Sequence, residues 1–335
     1  MRKWVIGIDE AGYGPKMGPL VIGASVWSVP SELQIDRMLV DLQPEFQSRP
    51  WKSGDSFLPM GDSKALYLDK TNLDSLSIAI RFLLSLQGAS CDSASSLIRH
   101  ISPIDAVRIE RQPWYQPDLE HLPWSDIPLG VDVVDAARIK LSQLGVEFHG
   151  FGCRIIDEEE FNRAVAIAGN KANALGEWSV GLLRDCIDLQ VRGKKRVEGT
   201  DAGLKRVEGY CDRQGGRKRY APLLTQVFQE WSPWFEILEE TANCSRYRCR
   251  FDDLELAVGF RVQGDAMLPA AAASMLAKWI RELMMHRLNG YWRSQLGDAL
   301  RPTAGYPVDA ERFRASIEDR ASALKHSTHA WWRCC

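Results

Sequence analysis

The chain has 335 residues, 45% of them hydrophobic, with 42 Lys and Arg against 44 Asp and Glu and a formal charge of -2. Such a composition buries a large core and excludes a disordered chain, and the balanced charge excludes a global basic field, so any nucleic-acid partner must be held by local basic clusters. Eight cysteines without a CxxC pair or zinc-like spacing, and an opening MRKWVIGID too short and too soon charged for a signal peptide, point to reduced thiols and a cytoplasmic location.

No apolar run approaches the roughly 20 residues that span a bilayer. Trp4 to Ile8 and Pro19 to Trp27 are short β-rich runs joined by a Gly-rich turn, and the first ends on the adjacent acids Asp9 and Glu10. Residues 43–60 read as irregular and close on GDSKAL. Leu73, Leu76, Ile80, Leu83 and Leu84 then recur at helical spacing and predict a helix lying against a sheet. The prolines and aromatics of 100–130 predict a loop-like insertion that folds back on the body.

A helix near 132–144, a strand VEFHGFGCRII and a long helix-permissive region over 157–189 follow. The unit KRVEG occurs at 195–199 and at 205–209; the second copy, running into YCD and a Gly-rich basic turn, is the preferred strand and delivers Asp212. FEILEET, SRYRCRF and LELAVGFRV predict further strands, the last entering QGDAML with Asp265. PAAAASMLAKWIRELMMHRL predicts an unbroken helix with a first-turn proline, and RPTAGYPVDAERF a turn before an exposed charged helix.

Three apolar runs thus end in acids. If they pair in one sheet, the carboxylates converge, and like charges that close need cations to stay ionised. Oxygen ligands without His or Cys point to Mg2+ or Mn2+, and two such ions about 3.5 to 4 Å apart suit in-line hydrolysis of a phosphodiester. For Asp265 alone an ordinary helix cap is the simpler reading.

Taken together, these stretches resemble ribonuclease HII, the type 2 RNase H family. IDEAGYGP is similar to its first motif, GDSKAL (Asp62, Ser63, Lys64) to its DSK motif, GDAMLPAAAASMLAKW (Asp265, Ser274, Lys278) to its last core motif, and TAGYP (Tyr306) to its C-terminal GYP, in the family's order. The resemblance covers about half of the chain, at its ends. It implies an α/β fold, an RNase H-like mixed β-sheet flanked by helices with inserted segments. Residues 1–285 would form the catalytic domain, with insertions near 92–130 and 190–250, and 286–335 a small helical C-terminal part carrying GYP.

The resemblance also implies an endoribonuclease acting on the RNA strand of RNA/DNA hybrids, or 5′ of ribonucleotides embedded in duplex DNA, and leaving 3′-hydroxyl and 5′-phosphate ends. Asp9, Glu10 and Asp265 match family metal-binding acids; Asp212 is the choice for the fourth, with Asp201 its rival. Gly12 and Gly14 would let the backbone approach a ribose 2′-hydroxyl, and Tyr306 would contact the ribonucleotide junction. Asp62, Ser63, Lys64, Ser274 and Lys278 are expected on the substrate side.

Tyr13 departs from the pattern, standing where the family usually has arginine and offering a hydroxyl and a ring in place of a charged fork. A binding protein on the same fold that has lost catalysis is the alternative. The tryptophans, Trp234 among them, are expected in the core rather than stacked on bases.

Overall fold

The computed structural model describes residues 1–67, 73–88, 93–116, 130–193, 204–231, 234–262 and 267–334. Its strands are β1 (Arg2–Ala11), β2 (Leu20–Pro30), the short pair β3 (Phe46–Gln47) and β4 (Leu58–Pro59), β5 (Glu147–Ile156), β6 (Lys205–Asp212), β7 (Glu236–Glu240), β8 (Cys244–Phe251) and β9 (Leu254–Arg261). All except β3 and β4 join one mixed sheet in the order β5-β2-β1-β6-β9-β8-β7. β1, β6 and β9 run parallel, and the outer strands pair antiparallel. The expected mixed sheet flanked by helices is what the chain forms, and the second KRVEG copy is its β6; the first copy and Asp201 lie outside the described residues.

Alternation along β1 sorts the core into two layers, because successive strand residues face opposite sides. Val5 joins a layer under the helix Leu268–Leu296, whereas Ile6 and Ile8 join one under the helix Lys171–Cys186. Close approach of the long helix depends on missing side chains. A Cβ on Gly7 would lie 2.0 Å from the Pro269 carbonyl carbon, and one on Gly23 would lie 2.3 Å from the Ala273 carbonyl oxygen. The Ala270–Ala273 run supplies the matching small surface, and Ser25 Oγ donates to the Pro269 carbonyl at 2.6 Å, fixing the helix start over β1 and β2.

The insertion corrects one expectation. Within the 100–130 stretch read as loop-like, Pro103–Arg111 is a helix, preceded in the chain by another at Ala94–Ile101. Ser93 caps the first in a capping box, and Pro103 occupies the first turn of the second, where its missing N–H costs no helical bond. The insertion does fold back: Trp114 and Tyr115 are buried, and Asp105 accepts from the Arg154 side chain and the Ile155 amide of β5. Trp234 is a second correction, since at 78% exposure it lies at the surface, just ahead of the edge strand β7. The helix Leu268–Leu296 runs unbroken through residue 286, and among the described residues no helix is long and apolar enough to cross a membrane.

Candidate active site

In the parallel register Ile8 stands beside Cys211, so the next residues, Asp9 still within β1 and Asp212 at the end of β6, stand side by side on one sheet face. By the same alternation Glu10 lies on the opposite face, that of Ile8 and Cys211. All three acids are half-buried. Burial first, then the charges of Asp9 and Asp212, push the Glu10 carboxyl up to about 8, against the pull of Lys64. Lys64 is exposed in the short helix Ser63–Leu66, whose N-cap Asp62 accepts from the Lys64 amide at 2.9 Å. The site therefore gathers Asp9, Glu10, Asp212 and Lys64.

Asp265 lies outside the described residues, between β9 and the long helix. An all-oxygen donor set in which one carboxyl is driven toward protonation by burial and by the charges of its neighbours fits a hard divalent cation. Among the described residues no three acid, His or Cys groups close into a complete ligand cluster.

The loop after the acids is held from three sides. Gly12 has φ +92°, and a Cβ there would lie 2.4 Å from Arg281 Nε, so the fold itself requires glycine. Gly14 has no such neighbour: nothing lies within 4 Å of its Cβ direction, which leaves its backbone open to approach. The Lys16 amide donates to the Gly305 carbonyl at 2.7 Å, docking the TAGYP turn onto the loop. Tyr306 is 53% exposed beside that contact, with the Arg281 guanidinium 5.9 Å from its ring. Tyr13 packs against the second core layer, and the Lys171 ammonium sits 5.0 Å from its ring centroid, so a cation is supplied beside the loop.

Other predicted residues make contacts within the scaffold. Ser63 and Ser274 are buried and hydrogen-bonded to each other at 2.9 Å, tying the DSK segment to the long helix. Lys278 pairs with Glu282 at 2.6 Å and lies over the Tyr67 ring. Sequence reasoning missed Arg281, Glu158 and Arg333. Arg281 is a buried cation on an otherwise apolar helix face, a visible signal in KWIRELMM, and its Nη2 donates to the Ala304 carbonyl at 3.0 Å. Glu158 accepts from the Gly18 amide at 2.8 Å and the Tyr115 hydroxyl at 3.0 Å.

Among solved structures the chain is similar to one from the PCNA:RNase HII complex of Archaeoglobus fulgidus, with 14% identity over 98% of this chain and 93% of that one and a TM-score of 0.40. The likeness is to type 2 ribonucleases H. A ribonuclease H2 from Pyrococcus horikoshii matches at 15% identity over 98% and 92% of the two chains, TM-score 0.36. Bst-RNase HIII in complex with Mn2+ matches at 11% over 99% and 66%, TM-score 0.38. No protein-family model and no curated protein matches the chain. At this identity and superposition to the RNase HII and HIII structures, the roles of the acids rest on this chain's own residues.

Proposed function

We propose that the chain is an endoribonuclease of the RNase H type, hydrolysing the RNA strand of RNA/DNA hybrids or the phosphodiester 5′ of a ribonucleotide embedded in duplex DNA. The observation that carries this reading is the register of β1 and β6. It brings Asp9 and Asp212 out together beside a glycine loop and leaves Glu10 with a carboxyl raised to about 8. Two divalent cations, Mg2+ or Mn2+, held by Asp9, Glu10, Asp212 and Asp265 would supply activation of the attacking water and neutralisation of the leaving oxygen.

The chain's own residues do the positioning. Gly14 offers open backbone at which a ribose 2′-hydroxyl can be read, the group that separates RNA from DNA. Tyr306, exposed next to the same loop, offers a ring and a hydroxyl to the nucleotide beside it. Lys64 adds positive charge at the acids and favours the ionised form of Glu10. Tyr13 with Lys171 replaces the single arginine expected there by a ring and a separate cation, a change that bears on junction preference more than on cleavage itself.

The test is to incubate the protein and Mg2+ or Mn2+ with a duplex carrying one ribonucleotide, a continuous RNA/DNA hybrid and an all-DNA duplex. Cleavage of either ribonucleotide-containing substrate to 3′-hydroxyl and 5′-phosphate ends, with the DNA duplex intact, is expected. Equal cleavage of all three, or of none, would sink the reading.

A further inference from the structure

Among the described residues, no helix packs extensively on one face of the sheet beyond β6. In β8, Ser245, Tyr247 and Cys249 are buried while Arg246, Arg248 and Arg250 are exposed. In β9, Leu256, Val258 and Phe260 are buried in the second core layer, so Glu255, Ala257, Gly259 and Arg261 share the face of the β8 arginines. In β6 the same face presents Arg206, Glu208, Tyr210 and finally Asp212. The register sets Arg261 directly beside Asp212, so this face runs without interruption into the acid site.

Its charges are unevenly matched. Lys3 pairs with Glu208 at 3.2 Å, Arg248 with Glu236 at 2.7 Å, and Arg206 lies 4.0 Å from Glu255. Among the described residues no salt bridge engages Arg246, Arg250 or Arg261. A groove of about 520 Å³, lined by Lys3, Tyr210, Arg246, Gly259 and Arg261, lies along the face, and the 31–36 turn closes its far side with the exposed Glu32 and Asp36. Its floor is flat for a specific reason. Gly259 sits mid-strand between Tyr210 and Arg246, and a Cβ there would meet nothing closer than 3.9 Å, so packing does not demand glycine. A mid-strand glycine without a packing reason suits close approach of another backbone.

We infer that the β6–β9–β8 face is a phosphate-tracking surface, on which Arg246, Arg250 and Arg261 hold the sugar-phosphate backbone of a duplex whose scissile strand lies at Asp9 and Asp212. This rests on the nuclease reading for the identity of the ligand. Arg261 stands beside Asp212 and Arg250 opposite Glu255, yet none of the three is held in a salt bridge among the described residues. Guanidinium groups so placed grip phosphates by charge-assisted forks, and such contacts set register and affinity without reading sequence. The acids alone would repel a polyanion; an arginine face leading to them supplies the opposing charge.

The test measures binding of a fluorescent RNA/DNA hybrid in EDTA, where cleavage plays no part, from about 50 to 200 mM salt. The Arg246→Gln, Arg250→Gln, Arg261→Gln triple variant is expected to bind at least tenfold more weakly, with a log-log salt slope shallower by about 2 to 3, at roughly 0.9 per lost phosphate contact. The corresponding triple Lys variant should keep the wild-type slope. Thermal melting alongside verifies that both variants fold, as exposed side chains should allow. A folded Gln variant with unchanged affinity and slope overturns the surface. Slope loss in a protein that gives no product with Mg2+ or Mn2+ would leave the surface standing and sink the nuclease reading instead.

Discussion

Arg333 donates through Nη1 to the Gly12 carbonyl at 2.6 Å, joining the end of the described chain to the loop that follows Asp9 and Glu10. The same guanidinium also donates to the Pro15 and Gly18 carbonyls, while the Arg333 amide donates to Lys16 O at 2.9 Å. One fully buried side chain thus satisfies carbonyls along a loop that has no regular secondary structure of its own. Arg333→Ala is expected to lower stability by about 3 kcal/mol, because it strands buried carbonyls and removes the positive charge facing Glu158. Urea unfolding measures the stability loss, and a variant within about 0.5 kcal/mol of wild type would contradict the clamp.

Glu158 sets a pH dependence of stability. Burial, opposed by Arg333 and reinforced by Asp157, raises its carboxyl from 4.5 to about 7. Between those values the folded state holds a proton that the unfolded state has released, so stability is fully present below about 4.5 and falls as pH rises toward about 7. Glu158→Gln should flatten this part of the melting-temperature profile. A variant that keeps the wild-type slope would place the titration on another group.

The two loop glycines should separate fold from function. Gly12→Ala meets Arg281 and a left-handed backbone, and is expected to cost about 2 kcal/mol. Gly14→Ala meets no protein atom and should leave the melting temperature unchanged. Under the proposed function it should still reduce kcat/KM on a ribonucleotide-containing duplex by about tenfold, by obstructing approach of the ribose. Unchanged kinetics in Gly14→Ala would remove this glycine from substrate recognition.

What the sequence disclosed follows a physical division. The strands that deliver the acids were legible because β-rich runs ending in polar turns are local signals, and the long helix because its alanines and first-turn proline are too. The helix Pro103–Arg111 was hidden by prolines read as breakers, although Pro103 lies at a helix start, where proline is tolerated. Arg333 and Glu158 were illegible for a different reason. Their meaning is a contact across more than a hundred residues, and nothing in WWRCC or DEEEF marks a partner in GYGPKMG. The glycines were only half legible, since sequence cannot separate one that the fold requires, Gly12, from one that it leaves open, Gly14.

The central claim is that the acids brought together by the β1 and β6 register carry out metal-dependent cleavage. Its most direct measurement is the initial rate of nicking of a duplex with one embedded ribonucleotide, in Mg2+ or Mn2+, by the wild type and by Asp9→Asn and Asp212→Asn. The account predicts a nick 5′ of the ribonucleotide by the wild type, abolished by EDTA, and a rate at least about 1,000-fold lower in either folded variant, equivalent to about 4 kcal/mol of transition-state stabilisation. Wild-type rates in the folded Asp9→Asn and Asp212→Asn proteins would contradict it.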